Sequence, residues 1–388
     1  MRLLRIESSQ LKTEVLSGLT ISTALVPEAI SFALLIGVSP AAGLWAAFFM
    51  ALSTSLFGGR PALISGATGA TAVILASLVS LHGEQNLYLA VILAGVIQLI
   101  LWLSKGWQIF KHIPKIVISG FLISLAVLIF QSQFKYFKIG NLSVSQQGIM
   151  LGIVAISAIM MHLSSKRFNF PPALAAISIG SILSSFFALP LIQDLSEISS
   201  SLPKFEIPKL SIESILLVLP YSFGMAISGL TESLIAVDEV CEKLGTPKGK
   251  DPKAKETFAQ GIGNMVSGFF TSIGGCVLIG QTNLNVMSGA KHRVSSLIAS
   301  LGLLLIILAV GKYIQLLPLA GLVGVMMIVV YKTGDWSSLK QRDRLNWLTL
   351  ITTIGSSVLT HNLAVGVLLG SVVYYAIKKW TDNETTKL

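Results

Sequence analysis

Glu232 lies in the stretch Gly229 to Glu239 (GLTESLIAVDE), inside sequence long and apolar enough to cross a bilayer. A charged side chain at mid-membrane costs about 2.5–3.5 kcal/mol on insertion scales, so an intramembrane carboxylate is a functional residue by default. Two tasks suit it. It can hold a cation, or it can carry a proton, because removal from water disfavours the charged form. The competing role is structural, a carboxylate capped by neighbouring hydroxyls. Glu28 is a second carboxylate of this kind. It follows Pro27, whose ring breaks the helical hydrogen-bond ladder and frees a carbonyl. It either lines a site or supports one. Phe32, one turn further on, either packs over a small substrate or fills core.

Two segments hold too much glycine and too many small polar residues for ordinary spans: 58–71 (GGRPALISGATGAT) and 268–282 (GFFTSIGGCVLIGQT). Short, Gly-interrupted segments at matching places in two halves are the sequence pointer to a transporter's binding site. A short extended piece followed by a half-helix presents free backbone N–H groups at mid-membrane, and a helix N-terminus attracts anions without a formal cation. The first half-helix is predicted to start at Thr68, Gly69 and Ala70, with the Thr68 hydroxyl as an extra donor. The second is predicted to start at Cys276, Val277 and Leu278. Close packing of small residues between spans is the alternative reading of both.

Other chemistries lack their residues. The five histidines form no ligand spacing with one another or with Cys241 and Cys276, so no metal centre and no disulfide framework is expected. No GxxxxGK[ST] loop occurs, which argues against an ATP-driven pump. No His, Asp or Ser cluster of an embedded enzyme stands out, and no cofactor is expected. Asp238 and Glu239 read as solvated partners of the lysine-rich stretch 241–256.

These residues need a scaffold of membrane helices. Of 388 residues, 53% are hydrophobic and 12% charged, half the charge of a soluble domain, with mean hydropathy +0.77. Spans are predicted at 14–36, 40–57, 67–81, 87–104, 116–131, 147–163, 172–191, 213–237, 257–271, 277–289, 294–311, 314–331, 346–359 and 362–377. The sequence therefore predicts an all-α polytopic membrane protein of fourteen transmembrane segments. With the N-terminus inside, 23 of the 28 Lys and Arg fall on the cytoplasmic side. This matches the positive-inside rule, places both termini in the cytoplasm of a cell inner membrane, and explains the net charge of +10 without nucleic acid. No cleavable signal peptide is expected, because a short basic segment runs straight into the first span. The Pro-containing stretch 194–211 divides the chain into a cytoplasmic N-terminus (1–12), two seven-segment repeats (13–205 and 206–378) and a tail (379–388). Glu28 and Glu232, Pro114 and Pro318, and Gly120 and Gly324 all stand 204 residues apart.

The first span, 24–33 (ALVPEAISFA), continues into Gly37-Val38-Ser39-Pro40 and Gly43-Leu44. With Gly229 to Glu239, Gln260 to Asn264 (QGIGN), and Gly274 to Asn285 running into Ser288-Gly289, it resembles the SulP anion permeases, bacterial relatives of the animal sulfate, chloride and bicarbonate exchangers. The resemblance implies two inverted repeats sorted into core and gate domains, and an elevator-type movement of the core. It also implies half-helices 3 and 10 facing each other across the substrate. Many members are homodimers, which makes a second copy an expected partner. Many carry a cytoplasmic STAS domain after the last span; this chain ends at residue 388, and none is expected. In sodium-coupled bicarbonate members an acidic residue of span 8 helps hold the cation, and Glu232 matches it. Their threonine four residues on is Ala236 here, which shifts the expectation from Na+ toward H+. Animal relatives place an arginine in span 10 where Gln281 stands, so the anion would rest on dipoles and hydrogen bonds, with a bound cation or proton supplying charge.

The expected function is secondary active symport of sulfate or bicarbonate. Thr68, Gly69, Ala70, Cys276, Val277, Leu278, Phe32 and Glu28 would meet the anion and Glu232 the coupling ion. An uncoupled anion exchanger or channel is the first alternative, and a small-carboxylate or nucleobase permease of the same fold the second.

Overall fold

The computed structural model describes residues 7–167, 172–187, 189–194, 202–245, 251–340 and 343–385. Over these residues the chain forms fourteen α-helices. They are α1 (Ser8–Ile36), α2 (Pro40–Phe57), α3 (Gly69–His82), α4 (Leu87–Leu103), α5 (Lys115–Gln133), α6 (Val144–Arg167) and α7 (Pro172–Ser184), then α8 (Ile212–Leu244), α9 (Pro252–Phe269), α10 (Ile279–Met287), α11 (Arg293–Ile314), α12 (Leu319–Thr333), α13 (Arg344–Thr360) and α14 (Leu363–Thr385). Eight segments have the length and hydropathy to cross a membrane; α3, α7 and α12 are apolar but shorter. Residues 195–201 of the mid-chain linker and 246–250 of the lysine-rich loop lie outside the described residues.

Local chemistry sets the helix starts. Ser39, Ser211, Asp251 and Asp343 accept hydrogen bonds from backbone N–H groups of the first turns of α2, α8, α9 and α13. Pro40 and Pro252 occupy first helical positions, where a missing N–H costs nothing. Gly37 ends α1 in the left-handed conformation at φ 94°.

The helices pack as two groups. One holds α1–α4 and α8–α11; the other holds α5–α7 and α12–α14. Between the groups the closest approaches are α1 with α12 and α7, α8 with α14, α3 with α5, and α10 with α12. Lys135, just past α5, reaches across and donates to the Leu34 and Leu35 carbonyls at the end of α1, where helix-terminal carbonyls favour a cation.

Packing in the second group repeats itself. Pro114 and Pro318 stand immediately before α5 and α12. A Cβ on Gly120 of α5 would lie 2.7 Å from Thr353 Cβ of α13, and one on Gly324 of α12 would lie 2.5 Å from Ser157 Cβ of α6. Gly370 of α14 also crowds Thr353, and Gly180 of α7 crowds Ser157. The α5–α13–α14 contact thus recurs as α12–α6–α7, the relation expected of two inverted seven-helix repeats.

The half-helices differ from expectation at the second site. Strand β1 (Ser65–Gly66) pairs antiparallel with β2 (Cys276–Val277), Ser65 opposite Val277 and Gly66 opposite Cys276. The first half-helix begins as predicted, with Thr68 as the residue before α3. The second does not begin at Cys276: Cys276 and Val277 are strand, Leu278 precedes the helix, and α10 starts at Ile279. Strand pairing with β1 wins there, because the ladder satisfies backbone groups that a helix start leaves free.

Candidate functional site

Glycine allows the two strands to touch. A Cβ on Gly275 would lie 1.8 Å from the Gly66 carbonyl oxygen, so only glycine fits. Gly274 before it has φ 62°. Because the strands are antiparallel, α3 and α10 leave the ladder at opposite ends, and both helix N-termini belong to this one place in the bundle.

Around the ladder lies a set of buried polar side chains. Cys276 Sγ donates to Glu232 Oε2 at 3.1 Å and lies 3.0 Å from Thr68 Oγ1. Thr68 Oγ1 is 3.3 Å from Thr71 Oγ1, and Thr71 donates to the Thr68 carbonyl. Ser233, beside Glu232 on α8, accepts the Val277 N–H at 3.1 Å. Thus Thr68, Cys276 and Glu232, from α3's start, β2 and α8, form one connected cluster. Gly69 and Ala70 form the first turn of α3, buried beside it. Val277 and Leu278 contribute backbone: Val277 N–H goes to Ser233 and Leu278 N–H to the Ile64 carbonyl at 2.8 Å. Those two N–H groups are spent inside the protein and are not free for a ligand.

Glu28 sits on α1 and accepts from Gln281 Nε2 of α10 at 2.7 Å. Glu28 Oε2, Gln281 Oε1 and Ser31 Oγ are buried without a hydrogen-bond partner. Phe32 is 2% exposed within the main apolar cluster. Ala236 packs among Leu63, Val237, Val240 and Val277.

Several residues here had no role assigned from sequence. Asn264 of α9 accepts the Gly275 N–H at 2.8 Å and donates to the Gly275 carbonyl at 3.1 Å, pairing with β2 as a third strand would. It also donates to Gln98 Oε1 of α4 at 3.0 Å. Gln98 Nε2 is buried without a partner, and a Cβ on Gly229 would lie 3.7 Å from it and 3.3 Å from Cys276 Cβ. Gln260, four residues before Asn264, donates to Ser65 Oγ and to Glu256. The signal was present in the stretch 260–264, two amides one helical turn apart in a helix otherwise rich in small residues. At the far end, Thr282 and Asn285 of α10 bind the backbone of Ile64 and Ala62.

Two half-helices that begin at a two-strand ladder, held by buried polar groups within a bundle of helices several of which are long and apolar enough to cross a membrane, define a multi-pass membrane protein of transporter architecture. The sequence matches the model of the sulfate permease family over residues 11–149 and 142–355, and the chain belongs to that family. It is 37% identical over 378 residues to the putative sulfate transporter YbaR of Bacillus subtilis, spanning 95% of this chain and 77% of that one. It is 27% identical to the bicarbonate transporter BicA of Picosynechococcus, spanning 96% and 70%. Its fold matches the transmembrane domain of a cyanobacterial bicarbonate transporter BicA with a TM-score of 0.82 at 26% identity, covering 93% of this chain and 98% of that one. It also matches SLC26A9 with a TM-score of 0.80 at 18% identity, covering 97% and 66%.

Proposed function

We propose that this chain is a secondary active transporter of a small inorganic anion, sulfate or bicarbonate, in a cell inner membrane with both termini cytoplasmic. The anion binds where α3 and α10 begin, against Thr68, Gly69 and Ala70 and beside the Cys276–Leu278 segment, whose Val277 and Leu278 N–H groups serve Ser233 and Ile64 rather than the anion, flanked by Glu28 and Phe32. The group α1–α4 with α8–α11 acts as the moving core, and α5–α7 with α12–α14 as the gate. The chain divides near residue 205 into the two repeats that supply these groups.

The observation that carries this reading is the Glu232 carboxylate, 3.1 Å from Cys276 Sγ and linked through it to Thr68. Helix N-termini favour an anion. A carboxylate beside them repels one unless a cation or proton accompanies it. Glu232 is therefore the coupling site, for H+ or Na+, and Ala236 in place of a hydroxyl favours H+.

Uptake into proteoliposomes tests this. Labelled sulfate and labelled bicarbonate are each offered with an inward H+ gradient, an Na+ gradient, or neither, to wild type and Glu232→Gln. Gradient-driven accumulation of one anion that disappears in the variant is expected. Uptake that ignores both gradients and survives the substitution would leave an exchanger or channel.

A further inference from the structure

Gln281 Nε2 donates to Glu28 Oε1 at 2.7 Å. The second oxygen of each group, Glu28 Oε2 and Gln281 Oε1, is buried with no partner, as is Ser31 Oγ one turn along α1. Glu28 is 5% exposed and Gln281 8%. Buried polar atoms are almost always paired, so two orphans on one touching pair need an explanation. Both are acceptors when the carboxylate is ionised, and no donor serves either. A carboxylic acid and a primary amide, however, can close a ring of two hydrogen bonds, amide N–H to one carboxyl oxygen and carboxyl O–H to the amide oxygen. Half of that ring is in place. A proton on Glu28 Oε2 would give the two unpartnered oxygens a donor between them.

We propose that Glu28 and Gln281 together bind a proton, with Glu28 as a carboxylic acid donating to Gln281 Oε1, at a site separate from Glu232. The inference rests on the transport reading above and deepens it. Each carboxylate accepts one hydrogen bond, Glu232 from the Cys276 thiol and Glu28 Oε1 from Gln281 Nε2, but only at the Glu28–Gln281 pair are a carboxyl oxygen and an amide oxygen both left without a donor. Proton balance is simple. Water on one side of the membrane supplies the proton, Glu28 Oε2 holds it, and water on the other side receives it.

Few charges compete for Glu28. Among the elements packed on α1, α2, α7 and α10 carry no charged residue, and α3 carries only His82 at its far end. From α11 come Arg293, committed to the Thr54, Ser55 and Gly58 carbonyls, and Lys312 and Tyr313 near the opposite end. From α12 come Tyr331 and Lys332. The charges that act on the pair are Lys332 and the Glu232 carboxylate of α8.

Infrared difference spectroscopy of the reconstituted full chain reads the proton directly. The wild type is expected to show the carbonyl stretch of a buried protonated carboxyl at neutral pH. The band should vanish in Glu28→Gln, change frequency in Gln281→Leu, and persist in Glu232→Gln. The exchanged variant Glu28→Gln/Gln281→Glu rebuilds the ring from the other helix and should recover the band, provided it keeps the wild-type unfolding temperature. In proteoliposomes, Glu28→Gln should lose the response of uptake to an imposed H+ gradient. Absence of the band from the wild type, or its survival in Glu28→Gln, overturns the proposal. Failure to transport either anion would remove the transport reading, while the infrared band still decides the proton site.

Discussion

The Cys276 thiol donates to the Glu232 carboxylate at 3.1 Å, and this is the hydrogen bond that joins the strand before α10 to the acidic residue of α8. A hydrogen bond to a charged group contributes about 1.5–3 kcal/mol. Cys276→Val removes the donor, whereas Cys276→Ser replaces it. Loss of that donor destabilises the ionised carboxylate, so proton affinity at Glu232, read from the pH dependence of gradient-driven uptake, should rise by roughly tenfold to a hundredfold in the valine variant. The serine variant should lie much closer to wild type. Equal effects of the two would mean that the contact has no role in coupling.

Asn264 supplies both partners of the Gly275 backbone, so its loss strands an N–H and a carbonyl inside the core. Each buried orphan costs about 1–3 kcal/mol. Asn264→Leu should therefore lower the unfolding temperature in detergent by several degrees, more than Gln98→Leu. The second variant removes only the Asn264 to Gln98 bond and an amide nitrogen already without a partner.

Gly120 and Gly324 stand at equivalent contacts, against Thr353 and Ser157. Overpacking a filled interface costs about 1–3 kcal/mol. Gly120→Val and Gly324→Val should each destabilise by a similar amount. Gly152→Ala, where a Cβ meets nothing within 4 Å inside α6, should not lower the unfolding temperature. A large asymmetry between the two valine variants would speak against matched repeats.

Asp335, in the turn after α12, feels opposing influences. Burial acts to raise its carboxyl, but hydrogen bonds from Ser337, Ser338 and Ser119 outweigh it and leave it below the usual aspartate range. A depressed carboxyl stabilises the folded state above the unfolded pKa, and that contribution disappears as pH falls through the folded value. Wild type should therefore lose stability on acidification below about pH 4, the ordinary aspartate pKa. Asp335→Asn should lack that part of the acid response. Unfolding temperature measured against pH checks it, and parallel curves for the two proteins would refute it.

The candidate site residues were legible as types. A carboxylate in an apolar run and a glycine-rich break in a span are costly, so each announces a task. The start of α3 was readable for the same reason, since Thr68 and Gly69 mark where extended backbone gives way to helix. The start of α10 was not. Cys276, Val277 and Leu278 have no local feature that separates strand from first helical turn, and their conformation is fixed by Ile64 to Gly66, some 210 residues away.

The one-dimensional order of apolar and polar residues determined that this chain is a bundle of membrane helices, because hydrocarbon admits only segments that satisfy their own backbone. The common offset of Glu28, Pro114 and Gly120 from their counterparts pointed to two halves. Only the tertiary structure decided which polar groups meet. Glu28 found Gln281, Glu232 found Cys276, and Asn264 found Gly275, pairings that span up to 253 residues. Hydrogen bonds act over about 3 Å, whereas hydropathy acts along the chain, so periodicity fixes which segments are buried and close packing alone fixes which atoms touch.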